Sequence, residues 1–193
     1  MKTIEYKKET SLSLHFNAKL HYSYIIDLKS KESMQLYYAT KNRFDYSLKN
    51  RDCFYNDLVS TLQKSVKEFD FVVIPESSKD FIKDIAEQLN KKVYILHKNN
   101  KKYIEQQLHT LHLQKAELQS HKDRILEMGD SFKINMLKAN QRRKYKELLF
   151  NKVNDIPVNQ KGIILDDSYF SGITIESMRS ITNITDVITI FSK

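Results

Sequence analysis

The chain reads as an α/β protein, with a mostly parallel sheet flanked by helices, a β-rich N-terminal segment and a helical insert. Three observations predict this. Short apolar runs typical of buried parallel strands occur at 70–74, 93–97, 162–166 and 186–191. Helical patterns lie between them, at 78–90 and 173–181; in the first, Phe81, Ile82, Ile85, Ala86 and Leu89 share one face. Strands alternating with helices imply parallel pairing through right-handed crossovers.

The remaining elements follow in chain order. Residues 1–50 read mainly as strands, at Lys2–Lys7, Leu12–Phe16, Tyr22–Leu28 and Met34–Thr40, because β-branched and aromatic residues are enriched there. Tyr22, Tyr24, Tyr37 and Tyr38 stripe these runs as cross-strand packing partners, with a base-stacking platform as the alternative. A helix over 52–69 carries Phe54, Leu58, Leu62 and Val66 at four-residue steps, with Asp52 near its cap. Residues 51–193 then form the α/β core, interrupted at about 99–150 by an insert with no proline and one glycine. Two helices meeting near Gly129-Asp130 are expected there, with Leu108, Leu111, Leu118, Ile125 and Leu126 in the first and Phe132, Met136 and Leu137 in the second.

Composition narrows the function classes. The chain has 193 residues, 40% of them hydrophobic, enough for one sizeable core. No apolar run reaches the roughly 18–20 residues of a membrane span, and MKTIEYKKET lacks the apolar stretch of a signal peptide. The lone Cys53 excludes an internal disulfide, fits a cytoplasmic protein and reads as a small core residue. A net charge of +8 suits an anionic ligand and equally suits nucleic acid. His109 and His112 share a helical face with His121 further on, and without further ligands at fitting spacing they read as solvent-facing.

The segment GIILDDSYFSGITIE, residues 162–176, is the richest in chemistry. An apolar strand ends in Asp166 and Asp167, a short Ser/Gly/Thr loop follows, and a helix begins near Thr174. A helix start presents unpaired N–H groups and a partial positive charge to a phosphate. Gly172 allows a tight turn and close approach to the anion. Ser171 and Thr174 offer hydroxyl donors, and the aspartates accept from sugar hydroxyls or hold hydrated magnesium. The competing view is an ordinary capped turn with two solvated aspartates. Upstream, the strand at 70–74 runs into Pro75, Glu76, Ser77, Ser78 and Lys79 before a helix, a second anion-seat pattern in which Ser77 and Asp80 also resemble a capping box.

DDSYFSGIT resembles the signature loop of type I phosphoribosyltransferases, which binds the ribose 5-phosphate part of phosphoribosyl pyrophosphate (PRPP). The resemblance implies that Asp166 and Asp167 face the ribose hydroxyls. Ser168, Tyr169, Phe170, Ser171, Gly172, Ile173 and Thr174 would then wrap the 5-phosphate, and Glu76, Ser77, Ser78 and Lys79 would bind pyrophosphate. Mg2+ would accompany PRPP near the two aspartates without direct protein ligands. The stretch LKANQRRKYKELLF, 137–150, resembles a segment of ComF-type phosphoribosyltransferase-like proteins and nominates Arg142 for the leaving pyrophosphate. Residues 1–50 are then the candidate hood for an unidentified acceptor base, and the insert stands where relatives carry a flap. A homodimer is the family expectation. The chain departs from the family in lacking the cysteine-rich zinc module of ComF-type proteins. Phe170 also stands where purine-salvage relatives place an acidic general base. Two functions therefore stand: a phosphoribosyltransferase, or a PRPP- or nucleotide-sensing module without turnover. In the second, the basic insert (Lys138, Arg142, Arg143, Lys144, Lys146) would meet nucleic acid or a protein partner.

Overall fold

A computed structural model describes residues 2–7, 12–76, 80–111, 113–129, 137, 139–151 and 155–193. The N-terminal part runs β1 (Lys2–Ile4), β2 (His15–Asn17), β3 (Tyr22–Asp27), α1 (Lys31–Thr40), β4 (Tyr46–Leu48) and α2 (Arg51–Ser65). The core continues with β5 (Phe71–Pro75), α3 (Phe81–Glu87) and β6 (Lys92–Leu96). The insert then holds α4 (Lys101–Gln107), α5 (Lys115–Met128) and α6 (Ala139–Lys144), and the chain returns through β7 (Gly162–Tyr169), α7 (Ile173–Thr182) and β8 (Val187–Ser192).

The principal sheet has six strands in the order β2-β3-β8-β7-β5-β6, all parallel except β2, which pairs antiparallel with β3. β1 and β4 form a separate parallel pair. Phe71, Val72, Val73 and Ile74 of β5 are each at most 1% exposed, because helices cover both faces of the sheet. Alternate side chains of a strand point to opposite faces. Val72, Ile74, Ile163 and Leu165 meet Leu58 and Leu62 of α2 and Ile82 and Ile85 of α3. Val73, Ile164 and Val187 meet Ile175 and Met178 of α7, with Tyr22 and Phe150. Each fully buried side chain of this size contributes roughly 1.5–3 kcal/mol over leaving it in water. The insert has its own small core of Ile104, Leu108, Ile125, Leu137 and Tyr145.

Four expectations are corrected. Met34–Thr40 is not a strand but belongs to α1, because the Ser30 hydroxyl accepts the Ser33 N–H at 3.0 Å and Glu32 lies in the first turn. The capped helix start outweighs the strand preference of the adjacent tyrosines. Residues 1–50 also do not stand apart as a β unit: β3 pairs with β8 and completes the core sheet. The first insert helix is two helices, broken before Lys115 by extended backbone at Gln114, and Leu126 turns outward at 63% exposure. β7 runs on to Tyr169, past the expected end at Asp166, because β8 lies alongside through Ser192 and supplies its partners. The expected second insert helix has Phe132 and Met136 outside the described residues. Cys53 packs half-buried against the larger core, close to its expected role.

Candidate functional site

In an open α/β sheet, ligands bind beyond the carboxyl ends of the strands, where the winding direction reverses. Here β5 lies between β6 and β7, its connection through α3 runs outward to β6, and the chain then crosses back to β7 and on to β8. α3 and α7 cover opposite faces. The reversal therefore falls between β5 and β7, and the carboxyl ends of those two strands carry Pro75, Glu76 and Asp166 to Ser168.

A cleft of about 330 Å³ opens there. Its wall is formed by Pro75 and Glu76 after β5, Lys98 after β6, Asp166, Asp167 and Ser168 on β7, and the Phe170, Ser171, Gly172, Thr174 and Ile175 turn, with Arg142 from α6 and Arg43 after α1. Three acidic and three basic side chains thus face one another across a small volume.

Strand alternation sends the two aspartates to opposite faces of the sheet. Asp166 is 6% exposed, and its Oδ1 accepts the Asp167 N–H at 2.7 Å. Burial holds its carboxyl well above the usual carboxylate range, and the charge of Asp167 pushes it the same way. Asp167 accepts the Ser168 hydroxyl at 2.6 Å on Oδ1, while its Oδ2 is paired with the ammonium of Lys41. Glu76 accepts the Lys98 N–H at 2.8 Å, which with neighbouring cationic groups keeps its carboxyl below the usual range.

The turn into α7 is built around Gly172, at φ +72°. A side chain there would be strained in this left-handed region and would run into the Tyr169 ring. No side chain caps the start of α7, so its first N–H groups stay available at the cleft. The first helical bond of α7 runs from the Glu176 N–H to the Gly172 carbonyl at 2.8 Å.

Of the residues expected at the site, Asp166, Asp167, Ser168, Phe170, Ser171, Gly172, Thr174, Glu76 and Arg142 line the cleft. Tyr169 and Ile173 do not. Tyr169 stacks on Tyr22 with ring centroids 4.1 Å apart, and Ile173 is buried at 4% exposure. Ser168 and Tyr169 belong to the strand, so the loop proper is shorter than expected. Ser77, Ser78 and Lys79 lie outside the described residues. α3 begins at Phe81 behind Asp80, which makes no side-chain cap bond. Phe170 is 45% exposed beside Tyr37, with ring centroids 5.3 Å apart.

Sequence reasoning missed Lys41, Arg43 and Lys98. Lys98 follows the end of β6, a position that the strand assignment alone would have flagged. Lys41 and Arg43 follow α1, a segment expected to be strand, so nothing pointed to them.

The insert's charges are partly spoken for. Lys144 pairs with Glu117, and Arg142 turns into the cleft, where its Nε is buried without a hydrogen-bond partner among the described residues. His121, expected in solvent, is 4% exposed and shares a 2.5 Å hydrogen bond with the Tyr145 hydroxyl, while burial pulls its pKa below the usual imidazole value. Its helix packs inward on the insert's own core, which the polar spacing of the histidines concealed. His109 is exposed as expected, and His112 lies outside the described residues.

Among the described residues no helix is long and apolar enough to cross a membrane. None of the described His, Cys, Asp and Glu residues group in threes as metal-ligand sets. The acid pair itself fits a divalent ion poorly in this arrangement: Asp166 Oδ1 and both Asp167 oxygens already accept from protein donors. Comparison with protein-family models, curated proteins and solved structures gives no match to this chain.

Proposed function

We propose that the cleft between the ends of β5 and β7 binds PRPP, and that the protein is a phosphoribosyltransferase of the type I kind, nearest to the ComF-type branch. One observation carries this: the acid pair, the uncapped α7 start behind Gly172 and three basic side chains line a single cleft at the reversal point of the sheet. In this reading the 5-phosphate sits on the first N–H groups of α7 and on the hydroxyls of Ser171 and Thr174. The ribose hydroxyls donate to Asp166 and Asp167. Pyrophosphate lies toward Lys98 and Arg142, whose charges stabilise it as it leaves. Magnesium enters with the pyrophosphate and not on the carboxylates. A nitrogen nucleophile of an unidentified acceptor attacks C1, and the protein acts mainly by positioning and charge stabilisation.

Phe170 favours the second function. It places an aromatic ring at the cleft where a general base would be needed, so a protein that binds PRPP as a signal, without turnover, fits the same geometry. The lone cysteine suits a reducing cytoplasm for either function.

Calorimetric titration of PRPP into the wild type and into a Ser171→Ala/Thr174→Val variant tests the binding site. Hydrogen bonds to a charged group are worth about 1.5–3 kcal/mol each, so the variant should bind at least tenfold more weakly with its melting temperature unchanged. Absence of PRPP binding by the wild type would overturn the proposal. Pyrophosphate release with a panel of bases then separates enzyme from sensor.

A further inference from the structure

The acid pair is held by a residue from outside the α/β core. Lys41 is the C-cap of α1, 126 positions before Asp167, and its side chain is 5% exposed against 17% for Asp167. A buried ammonium persists only when paired, and removing its partner would leave an uncompensated charge. The Lys41 ammonium also lies 5.3 Å from the centroid of the Phe81 ring, at the start of α3. A carboxylate and an aromatic face therefore fix it in one place. Its backbone is fixed too, because the Lys41 N–H donates to the Tyr37 carbonyl at 3.1 Å in the closing turn of α1.

We infer that Lys41 is the resident cation of this site, occupying beside Asp167 the place a divalent metal would take. The identification of that place as the ribose seat rests on the PRPP reading; the cation assignment does not. Asp167 has one oxygen on Lys41 and the other on the Ser168 hydroxyl, and Asp166 has its Oδ1 on the Asp167 N–H. Magnesium demands near-octahedral oxygen ligands and keeps several waters. An ion at Asp167 would have to expel the ammonium or face it at close range, where like charges in a partly buried site repel strongly. The lysine thus fixes Asp167 as a hydroxyl acceptor, and the N-terminal segment becomes part of the binding site through it. Lys41 is a positioning residue: it acts on the ligand through Asp167.

Mn2+ is the probe, titrated into the full chain without PRPP and followed by electron paramagnetic resonance of the free ion. The wild type should take up no Mn2+ at the acid pair. Lys41→Met should gain one Mn2+ site at least tenfold tighter than anything in the wild type, and Lys41→Met/Asp167→Asn should lose it again. Lys41→Gln, which keeps a polar partner for Asp167 without the charge, is run beside Lys41→Met, and thermal unfolding identifies which variants are folded. Paramagnetic broadening of the Asp167 and Ser168 amide resonances of the wild type gives a readout that needs no variant. Broadening of those two amides at Mn2+ concentrations that leave other amides sharp would overturn the inference. So would a folded Lys41→Met or Lys41→Gln protein that gains no site. Because PRPP is absent throughout, these outcomes are independent of whether the cleft binds it.

Discussion

Replacing Gly172 with alanine probes the turn that opens the candidate phosphate seat. Gly172 sits at φ +72°, where an L-residue pays roughly 1–2 kcal/mol. The added Cβ would also overlap the hydroxyl and Cζ of Tyr169. That ring cannot swing aside freely, since it is stacked on Tyr22 at 4.1 Å, and Tyr22 in turn shares a 2.5 Å hydrogen bond with Ser192. Forcing such a contact typically costs about 1–3 kcal/mol. Stiffening of the unfolded chain by alanine returns about 0.4–1 kcal/mol, which leaves a net loss of about 1–4.5 kcal/mol. In a chain of this length that corresponds to a fall in Tm of about 2–18 °C. Urea and thermal unfolding by circular dichroism would measure it. The steric part separates in a double-mutant cycle with Tyr169→Ala: once the ring is gone, Gly172→Ala should cost only the backbone part less the unfolded-chain gain, roughly 0–1.5 kcal/mol. A Gly172→Ala protein within about 0.5 kcal/mol of wild type, the usual range for innocuous surface changes, would refute both the left-handed turn and the packing beneath it.

Two further outcomes follow from the same region. Asp166 has its pKa raised in the folded state by burial, so the folded protein holds a proton that the unfolded chain has released. Stability from this group is therefore greatest at acid pH and declines as pH rises above the ordinary carboxylate range, until the folded carboxyl itself ionises. Asp166→Asn mimics the protonated form, and urea unfolding should show it more stable than wild type at pH 8, with the gap closing toward pH 4; an equal gap at both ends would contradict the buried carboxyl. Ser177, fully buried on α7, donates its hydroxyl to the Lys146 carbonyl and ties the insert's return to the core. Ser177→Ala should lower stability by about 1–3 kcal/mol, since it leaves that carbonyl without its donor, and faster amide exchange around 145–148 would locate the effect.

What could be read from the sequence divides along a physical line. β5, the first half of β7, and β8 are legible because a strand covered on both faces must be largely apolar, and that demand is met by adjacent residues. The Gly172 turn is legible for a similar reason, since backbone geometry of this kind admits few residue types. α1 is harder: Tyr37 and Tyr38 favour a strand locally, and only the Ser30 cap and the pairing of Tyr37 with Phe191, 5.1 Å away on β8, decide for the helix. Tyr169 shows the limit within a motif. It lies between residues that line the cleft, yet its ring stacks on Tyr22, so membership of a signature loop does not make a residue part of the site. Lys41 lies beyond sequence reading altogether. Its place at Asp167 depends on β3 joining β8, on α1 packing over that edge and on the length of α1, each a tertiary outcome. The acid pair announces an ability to accept hydrogen bonds, but which cation balances it was decided by a segment 126 residues away. A motif therefore specifies donors and acceptors, while the fold around it sets their charge balance.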